Sequence, residues 1–386
     1  MRLEEFTMNE ALINMPEILE LDFEQSLDNK KFDFFISALG FEERTLSIPT
    51  RLTSLSNFTC EEAIYLTYNT STNDNAFNEP PLRSAFAKIK NSAGAEATIT
   101  NMHCDNESFI QLLTEKIQRR CTSNSVKVLL DLSVCSSKLI LMLMKVLLDI
   151  KEVELTIVYT EADIYFPLFS EYDKHKEKFE YDSDYTSTRG YEKTINSNEY
   201  SEGSKENPDL IVAFAPFKAG RINRIVSEID ESILLNSYHR LVWIIGHPNF
   251  DKEEDSQNRM LMLKEINGIS DEDCRLHDVG TLNYKEIISV LENIYQENSK
   301  YHMNIADLGS KMQTLGISIF YHIRPDVSVY YAIPQEYNSH RYSTGVKKHW
   351  IIEFRSIKDL ISLISKVDNI TIKYELNEGF DPFKTA

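Results

Sequence analysis

Cysteine is scarce in this chain. There are five in 386 residues, Cys60, Cys104, Cys121, Cys135 and Cys274, an odd number with no CxxC pair. That pattern argues against a disulfide framework and against a cysteine-based zinc site. No apolar run approaches the roughly 20 residues that a membrane span requires. The opening MRLEEFTMNEALINMPEILELDFEQ is acidic and mixed, unlike a secretory signal. A cytoplasmic protein without a membrane partner is the expectation. Basic residues are also in deficit: 41 Lys plus Arg face 60 Asp plus Glu, a formal charge of -19. Such a field repels polyphosphate, so binding to extended nucleic acid is not expected. Neither a Walker A motif nor GxGxxG occurs, and no metal or cofactor is implied by any motif.

What the chain does have is a globular composition, 42% hydrophobic and 11% aromatic, at a length that suits two to three domains. Short β-rich runs alternate with helical stretches, the pattern of parallel α/β units. Strands are expected at 32–39, 62–68, 97–102, 126–132 and 154–160, with helices at 45–55, 81–90, 107–120 and 137–150 between them. The order then recurs, with strands at 209–215, 240–246, 274–280, 302–309 and 327–333 and helices at 221–229 and 310–323.

The recurrence has a register. Setting FFISALGFEERT on LIVAFAPFKAGR places Phe41 on Phe217, an offset of 176, and the same offset puts Asp131 on Asp307. The second loop is three residues shorter, so Ser137-Lys138 meets Ser310-Lys311 at 173, which then carries Asp163 onto Glu336. One deletion accounts for the whole change. The fold class is therefore α/β, two tandem Rossmann-like units with mostly parallel sheets and helices on both faces. The expected divisions are an N-terminal segment 1–31, unit one at 32–167, a polar tyrosine-rich linker or insert at 168–207 and unit two at 208–386. The tail of unit two reads β-α-β (347–354, 356–367, 370–376) and is expected to complete the second sheet.

In open parallel sheets ligands sit beyond the carboxyl ends of the strands, so the loops there are the candidates. After the first strand, Arg44 and Thr45 open a helix, where free N–H groups and the dipole favour an anion. Copy two supplies Lys218 and Arg221 in the matching loop. After the fourth strand comes DLSVCSSK, 131–138. Here Ser136 and Ser137 suit an N-cap, Lys138 adds a point charge, Asp131 can orient the loop or take a ribose hydroxyl, and Ser133 is counted with the ligand-binding residues. Asp307, Ser310 and Lys311 take those roles in copy two. Capping alone would also account for the serines. Arg44 and Lys138 are both expected in water-accessible loops.

A strand leading to a Gly/Arg/Thr loop, followed in the fourth βα turn by D-L-S-x-x-S-S-K, resembles the CRISPR-associated Rossmann fold (CARF) and its SAVED relatives. The matching turn of that family reads D-[LI]-[TS]-G-G-[TS]-K; Val134, Cys135 and Ser136 depart from it, and copy two is three residues shorter. The resemblance spans about 33–160 and 209–335. It implies a sensor that binds a cyclic oligonucleotide or similar small anionic ligand of nucleotide type, in prokaryotic antiviral defence. Family sensors carry an appended effector, and none is recognised here, so the resemblance implies a protein partner that carries one.

Two rival readings remain at this point. One is a nucleotide or cyclic-oligonucleotide hydrolase on the same loops, for which the candidate catalytic groups are His247, Asp251, Glu161 and Asp163. The other is a scaffold subunit with no ligand.

Overall fold

In the computed structural model the described residues are 8–105, 108–121, 125–179, 187–189, 193–196, 207–233, 238–270, 275–334 and 336–363. Unit one contributes five parallel strands: β1 (Lys31–Ala38), β2 (Thr59–Thr67), β3 (Thr98–His103), β4 (Val126–Asp131) and β5 (Val153–Thr160). Unit two contributes β6 (Asp209–Phe214), β7 (Leu241–His247), β8 (Arg275–Gly280), β9 (His302–Ala306) and β10 (Ser328–Ile333), again all parallel. The spatial order is β5-β4-β1-β2-β3 in the first sheet and β10-β9-β6-β7-β8 in the second, so the two units share one topology.

The central strands are apolar on both faces because both faces are covered. Along β1, Phe34 and Ile36 enter one core while Phe35 enters the other, following the two-residue period of a strand. In β6, Leu210 and Val212 face one core and Ile211 and Ala213 the other. The crossover from the fourth to the fifth strand is three residues shorter in unit two, although by the helix caps at Ser136 and Ser310 only two of the three are missing from the loop before the helix. Val128 faces Leu155 in the first sheet and Asn304 faces Ser328 in the second, three residues closer along the chain.

Helix α1 (Ser137–Asp149) follows β4, and helices α2 (Glu253–Asn267), α3 (Tyr284–Glu297) and α4 (Lys311–Ile323) belong to unit two. The nearly all-round apolarity of α1 is explained by its place. Ile140, Leu143 and Leu147 share one core with Leu315, Ile319 and Ile323 of α4, so this helix is enclosed between its own sheet and the other unit. The two units are joined through that core.

Three expectations are corrected. The stretch 45–55 is a 3-10 turn at Glu43–Leu46 followed by a short α-helix at Ser47–Leu52, not one helix. The tail strand does not complete the second sheet. β11 (His349–Glu353) lies antiparallel to β5 in the first sheet, with Leu19–Glu20 on its far side. Instead, Lys193–Asn196, from the stretch read as a linker, lies antiparallel to β10 in the second sheet. Two short ladders form as well: Ile164–Tyr165 with Ser343–Thr344 crosses between the units, and Thr188–Arg189 of the 168–207 stretch pairs with Glu336–Tyr337 of unit two. An apolar pattern identifies a strand but not the edge it joins, and both sheets offer an open edge beyond their fifth strand. The last strand expected, 370–376, lies outside the described residues.

Candidate functional site

All ten parallel strands point their carboxyl ends at one cavity of about 710 Å³ between the units. Its wall takes Gly40 after β1, Tyr68 after β2, Asp105 after β3 and the turn Val134–Lys138 after β4. From unit two come Phe214–Lys218 after β6, Gly246 at the end of β7, Thr281 after β8, Asp307–Lys311 after β9 and Tyr331–Ile333 of β10. A cavity of this size suits a ligand of nucleotide dimensions or somewhat larger.

Of the residues expected at a ligand site, Arg44, Ser136, Ser137, Lys138, Lys218, Arg221, Asp307, Ser310 and Lys311 line this cavity. Thr45, Asp131 and Ser133 do not; they brace the loops that form it. The Thr45 hydroxyl donates to the Gly40 carbonyl at 2.9 Å and closes the first loop. Asp131 accepts from the Ser133 amide at 2.9 Å and from the Ser37 hydroxyl at 3.3 Å, and Ser133 in turn accepts from the Thr160 amide at 2.8 Å. The ends of β1 and β5 are tied to the end of β4 in this way.

The helix starts differ from their expected equivalence. Ser136 caps α1 by accepting from the Leu139 amide, and Ser310 caps α4 by accepting from the Gln313 amide. Gln313 completes a capping box through the Ser310 amide at 2.8 Å. By cap geometry Ser136 matches Ser310, so Lys311 is the counterpart of Ser137 and not of Lys138. The first residue of each helix crosses the boundary. Ser137 meets the Thr314 hydroxyl at 3.1 Å, and Lys311 donates to the Cys135 carbonyl at 2.8 Å.

The Arg44 guanidinium is not in a water-accessible loop. It is 1% exposed, paired with Glu42, and donates to the Thr160 carbonyl at 3.0 Å. Ser343 of the crossing ladder also reaches Glu42. A buried guanidinium needs this carboxylate because an unpaired charge in that position is strongly unfavourable. Lys138 is likewise neutralised, by Asp105 at 3.1 Å.

The second unit's cations have other partners. Arg221 donates to the Ala332 carbonyl at 2.9 Å while its Nε has no partner. Arg259 of α2 donates to the carbonyls of Tyr165, Phe166 and Pro167 and lies 3.8 Å over the Phe217 ring. Burial lowers the pKa of Arg259 to about 9 and also lowers that of Lys311. Asp307 is pushed up to about 7 by burial; its Oδ1 accepts from the Thr314 hydroxyl at 2.9 Å, and its Oδ2 is unpartnered.

Arg259 was not legible in the sequence. It sits within a polar helix, EEDSQNRMLMLKEIN, and no motif marks it. Glu42 was visible in the first loop but carried no signal of a pairing with Arg44.

The candidate catalytic groups are divided between the cavity and the surface. His247 is not part of the cavity wall, although Gly246 and Pro248 on either side of it are. Its Nε2 lies 3.7 Å from Glu253. Asp251 is exposed and pairs with Lys347, and Asp163 is exposed beside Gly345. Glu161 alone reaches the cavity, where it is buried and accepts from Trp350 Nε1 at 3.3 Å, and burial raises its pKa. Among the described residues no three His, Cys, Asp or Glu side chains are grouped to hold a metal, and no helix is long and apolar enough to cross a membrane.

No family model matches this chain, and no curated protein matches it in sequence. Among solved structures, it is similar to a type III CRISPR defence DNA nuclease activated by cyclic oligoadenylate, with 7% identity, 82% of this chain and 68% of that one covered, and a TM-score of 0.44. It is also similar to a universal stress protein from Archaeoglobus fulgidus DSM 4304, with 14% identity, coverage of 77% and 95%, and a TM-score of 0.21. A third is the cytoplasmic domain of a prokaryotic cation chloride cotransporter, at 10% identity, 81% and 99% coverage, and a TM-score of 0.24. These values assign the chain to no family.

Proposed function

We propose that this protein is a sensor that binds a small anionic ligand of nucleotide type in the cavity between its units and passes that binding on to a protein partner carrying an effector. The observation that carries the reading is the convergence of ten strand ends and two helix N-termini on one cavity, lined by six Lys and Arg side chains in a chain whose net charge is -19. A surplus of cations concentrated against the sign of the whole molecule is a feature of an anion site. The context of prokaryotic antiviral defence rests on the resemblance of the 131–138 turn to the CARF motif.

The test is mass spectrometry of small molecules released from natively purified protein, followed by calorimetry with the molecule found and with a panel of linear and cyclic nucleotides. Micromolar or tighter binding of a nucleotide, without turnover, is the expected result. No co-purifying anion and no binding across the panel would leave the scaffold reading in its place.

A further inference from the structure

In the first unit a carboxylate sits where two donors of the cavity wall converge. Asp105 stands two residues beyond β3, and both of its oxygens are engaged. Oδ1 accepts from Lys138 Nζ at 3.1 Å, and Oδ2 accepts from the backbone amide of Asn69 at 2.9 Å. An ammonium group and a main-chain N–H thus already meet on one anionic group. All three residues line the cavity. The Asp105 and Lys138 side chains are 24% and 25% exposed, so the pair opens onto the cavity and is not sealed behind it.

The donors do not owe their positions to Asp105. The Tyr68 hydroxyl accepts from the Ser136 amide at 3.0 Å and donates to the Val134 carbonyl at 3.2 Å, which holds the chain leading to Asn69 against the turn that starts α1. Nor does the fold require an acid there. The Cys104 amide donates to the Thr67 carbonyl at 3.0 Å in unit one, and the Thr281 amide to the His247 carbonyl at 2.9 Å in unit two. Each bond runs from the residue after an edge strand to the last residue of the neighbouring strand, so Asp105 corresponds to Leu282 in the repeat. Leu282 lines the cavity too, and at this position only the first unit puts a charge in the wall.

We propose that Asp105 is an internal stand-in for a phosphate group: it keeps an anion subsite, made by Lys138 Nζ and the Asn69 amide, closed until the phosphate of a nucleotide displaces it. This rests on the reading of the cavity as a nucleotide site. A phosphate brings at least the charge of a carboxylate, about −1.5 to −2 as a monoester, and more acceptor oxygens for the same donors. Competition of this kind divides the affinity by the fraction of molecules in which the subsite is free, and so raises the ligand concentration to which the protein responds.

Titration calorimetry on the full chain tests this with three probes: inorganic pyrophosphate, ATP and cyclic di-AMP. Asp105→Asn removes the competing charge and keeps an oxygen that accepts from the Asn69 amide. It is expected to bind whichever nucleotide probe the cavity takes at least about ten-fold tighter than the wild type does, the weight of one charge-assisted hydrogen bond. In a Lys138→Gln background the same substitution should gain less than about three-fold, because the cation for which Asp105 competes is gone. If Asp105→Asn melts early, Asp105→Ser, which sheds the same charge, should show the gain. A mere brace behaves in the opposite way. Nucleotide binding that is unchanged or weaker in both variants would overturn the stand-in and leave the nucleotide site standing, as would a gain that survives in full without Lys138. A gain confined to pyrophosphate would uphold the phosphate subsite and overturn the nucleotide reading. Binding of no probe by the wild type or the variants would overturn both.

Discussion

Asp131 follows the same course of chain as Asp307, each at the end of the fourth parallel strand of its unit, and each is 1% exposed. Their surroundings differ. Both oxygens of Asp131 are engaged, by Ser133 and by Ser37, and burial raises its pKa only to about 6. Asp307 has an Oδ2 with no partner, and burial raises it to about 7. An unfolded aspartate titrates at about 3.9. Between about pH 4 and pH 7 the unfolded chain therefore gives up a proton that folded Asp307 retains. The stability contributed by the neutral carboxyl is complete below about pH 4 and is lost as pH rises through about 7. Asp307→Asn, which cannot ionise, should match the wild type near pH 4 and be more stable than it at pH 8. The expected gain is a few kcal/mol, because each tenfold difference in proton affinity between the folded and unfolded chain is worth about 1.4 kcal/mol. Melting curves of the ligand-free protein at both values check this, and equal melting at pH 8 would show that folding does not raise the pKa of Asp307.

At the scale of elements, α3 and α4 approach so closely that no side chain fits between them at one point. A methyl group on Gly316 of α4 would lie 2.6 Å from the Tyr284 carbonyl and 2.8 Å from Ile287 Cβ of α3. Both obstacles belong to backbone or to the root of a side chain, so the helices must separate. Gly316→Ala is expected to lower stability by about 1–3 kcal/mol in denaturant titration, against the usual gain in helix propensity from that change. The ten parallel strands were legible because buried strands are continuous apolar runs, as in VKVLLDL and DLIVAFA. The equivalence of Asp131 with Asp307 was legible for the same reason, since the strands around them fix the register. The short ladders were not. Two residues of pairing, as in Ile164–Tyr165 with Ser343–Thr344, make no period. The offset between Lys138 and Lys311 escaped because either serine of Ser136-Ser137 could have been the cap, and only the hydrogen bond to Leu139 chooses.

At the scale of the whole molecule, neither sheet draws its sixth strand from its own unit: β11 of unit two completes the first sheet, and Lys193–Asn196 of the 168–207 stretch completes the second. β11 sits between β5 and Leu19–Glu20 inside the first sheet, so its loss would strip pairing from two strands at once. Lys193–Asn196 closes the second sheet, and the shared core of α1 and α4 lies between. Units tied in this way should unfold together, because the first sheet loses β11 once unit two opens and the core shared by α1 and α4 is exposed when either unit opens. The chain holds two tryptophans, and each reports on a different sheet: Trp243 lies in β7 and Trp350 in β11. Trp243→Phe leaves fluorescence from the first sheet only, and Trp350→Phe leaves it from the second. Once corrected for the stability change each substitution makes, measured by calorimetry on the same variants, the two fluorescence midpoints should coincide with the single calorimetric transition. Two separated transitions would mean that the sixth strands come away without opening the sheets they complete, and that the units behave as independent domains.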